Sequence, residues 1–270
     1  MPNSHTLPVV MCFSGLDSTG GAGVQADIEA IISMGAHPAP IVTALTVQDT
    51  ARLSRYQATD PILAMEQARA VLEDMPVHAI KIGMLGSIEQ IEMLETLLQD
   101  YPRIPVILDP VLAAGGGGQL IEDDAEAALT ELLLPHTTIV TPNSVEARIL
   151  APEADTLDAC AQELMSFGCD YVLITGAHEN TAQVENRLYS NHRLMEVFSW
   201  ERLPHSYHGS GCTLAASIAA LLANGMEPFT AINEAQEYTW QALNHAFRLG
   251  MGQMIPNRLF WARETEAERE

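Results

Sequence analysis

Short apolar runs alternate along this chain with longer stretches whose apolar positions recur every three or four residues. Residues 7–13, LPVVMCF, lead into VQADIEAIISM, and 40–47, PIVTALTV, come before DPILAMEQARAVLEDM. AIKIGML at 79–85 precedes SIEQIEMLETLLQD, and VILDPV at 106–111 precedes DDAEAALTELLL. The short runs predict strands apolar on both faces and the longer ones amphipathic helices. The repeat therefore reads as β-then-α units building a mainly parallel sheet with helices on both sides. Two further strand signals, TTIVTPN and YVLITG, come before VENRLYSNHRLMEVFSW at 184–200. There SNHR carries turn chemistry between strand-forming flanks and predicts a hairpin. The final third reads as helical. No repeat period or low-complexity linker interrupts the pattern, so residues 1–270 are expected to form a single domain.

Composition narrows what such a domain could do. The 270 residues are 47% hydrophobic, enough for a sizeable core, and 13 basic against 35 acidic side chains give a formal charge of −22. Lys and Arg never cluster beyond a pair, which argues against nucleic acid or an anionic membrane as partner. An anionic small molecule would need a locally built site. The start, MPNSHTLPVV, lacks the basic region of a leader, and no apolar run reaches the roughly 18 residues of a membrane span. A cytoplasmic protein is expected. Cys12, Cys160, Cys169 and Cys212 show no C-x-x-C spacing, so free thiols are expected and not a zinc or disulfide framework.

Ligands of such sheets collect beyond the carboxyl ends of the strands. SGLDSTGGAG at 14–23 follows a strand and opens a helix, and its glycines permit close backbone approach. Both the G-x-G-x-x-G spacing and the Walker lysine are missing, so a tight turn and a binding loop are equal readings. On the helix that follows, Gln25, Asp27 and Glu29 read as a solvated face. TALTVQDT ends a strand in Gln48 and Asp49, where a plain turn is the simplest reading. LDPV places Asp109 at the end of a buried strand, and TPNSVEA puts Glu146 three residues after Asn143, the spacing of a helix cap. Beside Asp109, a Mg²⁺ and phosphate role competes with capping for that pair. His178, His205 and His208 lack metal-ligand spacing and read as loop residues.

YHGSGCTLAAS at 207–217 carries the sharpest signal. Gly209, Ser210, Gly211 and Cys212 open a helix that Gly225 ends, so their N–H groups would lack helical partners. Such an N-terminus holds roughly half a positive charge and binds phosphate without Lys or Arg. The same field would stabilise a thiolate, which predicts a Cys212 pKa lowered from about 8.5 toward neutrality and a role as base. Cys12, Cys160 and Cys169 are expected to pack as small apolar groups.

Taken together, SGLDSTGGAGVQADIEA, VTALTVQDT, KIGMLGS, LDPVLAAGGGG, TPNSVEARIL and HGSGCTLAASIAALLANG, in this order and spacing, closely resemble the hydroxymethylpyrimidine/phosphomethylpyrimidine kinases of thiamine biosynthesis, within the ribokinase-like superfamily. The resemblance runs over about residues 8–225. It implies a ribokinase-like three-layer α/β/α sandwich with a mainly parallel central sheet. It also implies two ATP-dependent phosphorylations at one site, from 4-amino-5-hydroxymethyl-2-methylpyrimidine to its monophosphate and then to the diphosphate. By motif match, Asp27 and Gln48 would hydrogen-bond the aminopyrimidine, with Gly15, Ala22 and Met84 lining its pocket. Asp109, Asn143 and Glu146 would organise Mg²⁺ and phosphate through water. Gly209, Ser210 and Gly211 would supply the anion hole, and Thr175 and Gly176 would stand at the nucleotide. Cys212 occupies the place where sugar-kinase relatives carry an aspartate base. A homodimer acting on ATP and a pyrimidine is expected. Two departures remove positive charge near the triphosphate. ITGAH puts Thr175 where the family often has lysine, and AGGGG stands where Lys-Ser-Gly-Asp is common. Pyridoxal kinase activity and a non-catalytic pyrimidine-binding role are the alternatives, and the cysteine of GSGC favours the pyrimidine over pyridoxal.

Overall fold

The computed structural model describes residues 7–112 and 125–262. Their strands are β1 (Val9–Leu16), β2 (His37–Gln48), β3 (Leu53–Ala58), β4 (Val77–Ile82), β5 (Val106–Leu108), β6 (Ile139–Val140), β7 (Tyr171–Ile174), β8 (Gln183–Ser190) and β9 (Arg193–Glu201). All join one sheet in the spatial order β3-β2-β1-β4-β5-β6-β7-β8-β9. The six strands from β2 to β7 in that order pair in parallel, while β3 and the β8–β9 hairpin close the two edges antiparallel. The helices are α1 (Gly23–Ser33), α2 (Pro61–Asp74), α3 (Ile88–Asp100), α4 (Ala125–Ala128), α5 (Ser144–Leu150), α6 (Leu157–Ser166), α7 (Ser210–Ala223) and α8 (Pro228–Asn244).

The alternation of side chains along β1 explains the three layers. Met11 and Phe13 point into a core shared with Leu94 of α3, Ala147 of α5 and Leu164 of α6. Val10 and Cys12 point into a second core with Ile31 of α1, Ile218 of α7 and Ile232 of α8. A strand buried on both faces has no wet side, hence the unbroken apolar runs that predicted it. The result is the α/β/α sandwich implied by the resemblance. Among the described residues no helix is long and apolar enough to cross a membrane.

Three elements differ from, or sharpen, the pattern read along the chain. The hairpin turns on Asn191 and His192, both at positive φ (50° and 56°), with Ser190 paired to Arg193 across a two-residue loop. β3 was not expected: its residues are exposed or half-buried at an edge, so its sequence LSRYQA carries no strong apolar signal. The helix predicted over 123–134 is, in its described part, one α turn running into a π turn (Leu129–Leu133) and a 3-10 turn (Leu134–His136). After α8 the chain is irregular as far as residue 257 and turns helical again only at 260–262. It folds back so that Met254 bridges Tyr207 and Ile255 bridges Phe247.

Candidate active site

A cavity of about 470 Å³ runs along the carboxyl ends of the parallel strands, from Gln48 at the end of β2 to Thr175 just beyond β7. This is the edge where an open α/β sheet gathers its loops, and the volume suits a small ligand with a nucleotide arm. The loop leaving β1 is ordered by one carboxylate. Asp17 accepts hydrogen bonds from the N–H groups of Thr19 and Ala22 (both 2.9 Å) and from the Thr19 hydroxyl (2.8 Å). Its Oδ2 also lies 2.8 Å from His208 Nε2. Burial alone would raise the Asp17 pKa, but the hydrogen bonds from His208 and Thr19 bring it below the usual carboxylate range.

His208 leads directly into α7, and this pairing draws two glycine turns together. Gly209 caps α7 at φ 77°, and a Cβ there would fall 2.1 Å from the Gly21 carbonyl oxygen, so only glycine fits. No side chain caps the helix. The first-turn amides of α7 are therefore left to face the cavity, which Gly209, Ser210, Gly211 and Cys212 all line. Gly211 packs over Asp109, whose carboxylate a Cβ on Gly211 would meet at 3.4 Å.

Beneath the cavity lies the only lysine of the chain. Lys81 on β4 has no exposed surface; its Nζ sits 2.9 Å from Asp27 Oδ1 and 3.1 Å from both Asp27 Oδ2 and the Ser14 hydroxyl. Ser14 also donates to Asp27. Burial would lower the lysine pKa, but Asp27 foremost, then Cys212 and Asp109, hold it above the usual amine range. A buried pair of this kind is costly to break from one side, since the survivor is left as an unpaired charge, typically at about 3–5 kcal/mol.

The other end of the cavity is acidic. Asp109 Oδ2 is buried without a hydrogen-bond partner, and the Asp109 pKa is pushed up to about 6 by burial, with Lys81 opposing and Asp27 adding. Glu146 belongs to a capping box on α5. The Asn143 side chain accepts from the N–H groups of Val145 (2.9 Å) and Glu146 (3.0 Å), and Glu146 accepts from the Asn143 N–H (2.9 Å). Burial first, and Asp109 second, push Glu146 up to about 8. Two carboxylates forced toward protonation by confinement, Glu146 also by Asp109 and Asp109 by Asp27, are what a cation would relieve. Among the described residues no group of three or more His, Cys, Asp or Glu is placed to hold a metal.

Beyond β7, Arg202 closes the loop by donating to the carbonyls of Ala177 (2.8 Å), Glu179 (2.9 Å) and Thr181 (3.0 Å). The Gly176 N–H donates to Asn186 Oδ1 (3.0 Å), and Asn186 in turn donates to Gln236 (2.9 Å), which also accepts from Trp200 Nε1 (3.2 Å).

A family model described as phosphomethylpyrimidine kinase matches residues 17–257, most of the chain. The chain belongs to that family. It is 36% identical to the hydroxymethylpyrimidine/phosphomethylpyrimidine kinase of Synechococcus elongatus, over 92% of this chain and 95% of that one. It is 34% identical to a thiamine biosynthesis bifunctional protein of Geobacter sulfurreducens, over 94% of this chain but 53% of that one, so it spans about half the length of that longer relative. Among solved structures, an ADP complex of Bacillus subtilis pyridoxal kinase superposes with a TM-score of 0.86 at 28% identity, covering 96% of this chain and 100% of that one. A phosphomethylpyrimidine kinase from Clostridium difficile superposes at 0.74 and 30% identity, covering 86% and 97%.

Within this phosphomethylpyrimidine kinase family fold, the residues singled out along the sequence are distributed unevenly. Gly15, Ala22, Gln48 and Met84 border one end of the cavity, and Asp109, Asn143, Glu146 and Thr175 the other. Two stand back from it. Asp27, expected to hydrogen-bond a pyrimidine directly, has no exposed surface and spends its carboxylate on Lys81 and on Ser14, which does line the cavity. Nor does Asp27 lie on a solvated helix face, because α1 turns it onto Lys81. Gly176 spends its N–H on Asn186 and is set behind Thr175. The lowered pKa expected for Cys212 is also corrected. Burial, augmented by Asp109 and Asp27 and opposed by Lys81, pushes the thiol up to about 12, so desolvation and like charge outweigh the helix field. His208 is no free loop residue but the buried partner of Asp17. The AGGGG segment falls outside the described residues. Sequence reading passed over Lys81, Arg202 and the Asp17–His208 pair. A lone lysine inside an apolar strand was a legible signal, whereas the other partners are 191 positions apart or meet only backbone carbonyls.

Proposed function

We propose that this chain transfers the γ-phosphoryl group of ATP to 4-amino-5-hydroxymethyl-2-methylpyrimidine and then a second phosphoryl group to the monophosphate, giving the diphosphate used in thiamine biosynthesis. One observation carries the reading: the uncapped first turn of α7 lies in one cavity with the Gln48 and Met84 wall on one side and the Asp109–Glu146 pair on the other. Gln48 reads the polar edge of the pyrimidine while Gly15, Ala22 and Met84 hold its faces. The amides of Gly209, Ser210, Gly211 and Cys212 receive the transferring phosphoryl oxygens. Asp109 and Glu146 would hold Mg²⁺ through water, and the orphaned Asp109 Oδ2 supports that fit. When bound, the ion neutralises charge on the phosphates. Asn143 and Thr175 border the nucleotide arm, with Gly176 set behind Thr175.

Because phosphoryl transfer passes through a loose transition state, positioning and charge neutralisation do most of the work, and the acceptor alcohol keeps its proton until late. A neutral Cys212 thiol fits this chemistry: it orients the hydroxyl and contacts Asp109, and no standing thiolate is required. This reading takes the chain as one catalytic domain, a homodimer of the cytoplasm. Sedimentation at micromolar concentration checks the assembly.

Phosphorus NMR of the products from ATP and Mg²⁺ with hydroxymethylpyrimidine, its monophosphate or pyridoxal tests the activity. The expected outcome is monophosphate and then diphosphate resonances with ADP release. Preferential turnover of pyridoxal would move the chain to vitamin B6 salvage. Binding without ADP release would make it a pyrimidine-binding protein.

A further inference from the structure

The irregular segment after α8 stitches the site together. Gln253 donates its N–H to the Thr50 carbonyl in the β2–β3 turn (2.8 Å), and Met254 exchanges backbone hydrogen bonds with Ser206 and His208 (2.9 Å each) on the approach to α7. Four residues on, Arg258 passes under the glycine turns. It is 1% exposed and heads the fully buried side chains in size among the described residues. Its Nε donates to Thr213 Oγ1 (2.8 Å) and Nη2 to the Gly21 carbonyl (2.5 Å), while Nη1 reaches the Gly20 carbonyl (3.4 Å) and Glu29 Oε2 (3.2 Å). Thr213 Oγ1 in turn donates to the Gly209 carbonyl (2.8 Å). One guanidinium thus connects the Gly20–Gly21 turn to the Gly209 turn that rests against it.

Fold stability does not explain this choice of side chain. A guanidinium stays charged at any relevant pH, and burying it in place of apolar atoms of similar volume is neutral or unfavourable for stability. What a planar fork offers is direction: several fixed donors that hold several acceptors at once, which a lysine cannot reproduce. Two of the four acceptors of Arg258 are carbonyls of the Gly20–Gly21 turn, and a third, Thr213 in α7, passes the contact on to the Gly209 carbonyl. We propose that Arg258 is a positioning residue for phosphoryl transfer, fixing the Gly20–Gly21 carbonyls and the first turn of α7 in the arrangement where the Gly209–Cys212 amides converge on the phosphoryl group. The inference rests on the kinase reading above. Its geometric half, the clamp itself, stands apart from turnover and is measured separately.

The test compares Arg258→Lys, Arg258→Ala, Thr213→Val and Glu29→Gln. Misplacing reacting groups by about 1 Å costs on the order of 100-fold. Arg258→Lys is expected to lower kcat about 10- to 100-fold per folded enzyme, with the KM for hydroxymethylpyrimidine within about threefold. Methylguanidinium should restore part of the lost rate in Arg258→Ala. Thr213→Val should lower kcat in the same sense, and it decides the matter if the Arg258 variants do not fold. Glu29→Gln keeps an acceptor for Nη1 and should stay within about twofold of the parent rate. Hydrogen exchange read by mass spectrometry should quicken in Arg258→Lys and Thr213→Val at residues 14–23 and 206–217 and be unchanged in β8 and β9. A kinase-silent parent with this exchange pattern would sink the proposed function while retaining the clamp. Unaltered exchange, a kcat within twofold in the folded variants, or an equal loss in Glu29→Gln would overturn the proposal.

Discussion

Helices α5 and α7 begin at the same cavity, yet one N-terminus is closed and the other open. In α5 the Asn143–Glu146 box returns side-chain oxygens to the helix's own amides, leaving little for a ligand. In α7 the cap is a glycine without a side chain, braced from outside by Gly21, and the amides remain available. Two helix starts of opposite use can therefore be told apart by who satisfies the first turn. The macrodipole is present at both, so it cannot be the discriminator.

The most damaging way to break this contrast is Gly209→Ala, whose methyl would strike the Gly21 carbonyl in a left-handed backbone conformation. We expect a loss of about 100-fold or more in kcat as the turn is displaced. Steady-state kinetics on protein shown to be folded by circular dichroism checks it, and retention of even a tenth of the activity would mean the turn is not the anion hole. Next in size is Gln48→Ala, which leaves a pyrimidine edge unpaired in a confined site. Calorimetry should register a loss of roughly 1–3 kcal/mol in pyrimidine affinity with ATP affinity unchanged, and equal losses for both ligands would place Gln48 elsewhere.

Asn143→Ala removes the closed cap and should act mainly on stability, by about 1 kcal/mol or a few degrees in melting temperature, with kcat reduced less than by Gly209→Ala. If activity instead falls as far as in Gly209→Ala, the α5 terminus is also a ligand site and the contrast fails. The smallest effect concerns the thiol. With its pKa pushed up to about 12, Cys212 should alkylate slowly with iodoacetamide at pH 7 and 8 and accelerate about tenfold per pH unit toward pH 10. The sign for stability follows: because the folded thiol holds its proton more tightly than the unfolded one, its contribution is intact at neutral pH and is lost as pH rises from about 9 toward 12. Rapid labelling at pH 7, removed in Cys212→Ser, would restore the thiolate reading.

The strands and helices bordering the cavity were legible because period-two and period-3.6 patterns record which face is buried, and the hairpin was legible because Asn191 and His192 tolerate positive φ. Edge strand β3 was not, since a half-exposed strand has no apolar run to show. Asn143 and Glu146 illustrate a middle case. Their spacing announced a cap and the structure contains it, but the proximity of Glu146 to Asp109, which turns a cap residue into half of an acidic pair, belongs to the parallel pairing of β5 with β6, the strand that leads into α5.

By itself the sequence determined the layered α/β architecture, the family and the glycine turn before α7, all properties of local pattern or of motifs in order. Only tertiary structure decided the electrostatics: that Asp27 turns inward onto Lys81, that Cys212 keeps its proton, and that Arg258 reaches Gly21 across 237 positions of chain. The physical reason is that a side chain's charge state depends on desolvation and on neighbours within a few ångströms, and distance along the chain carries almost no information about either.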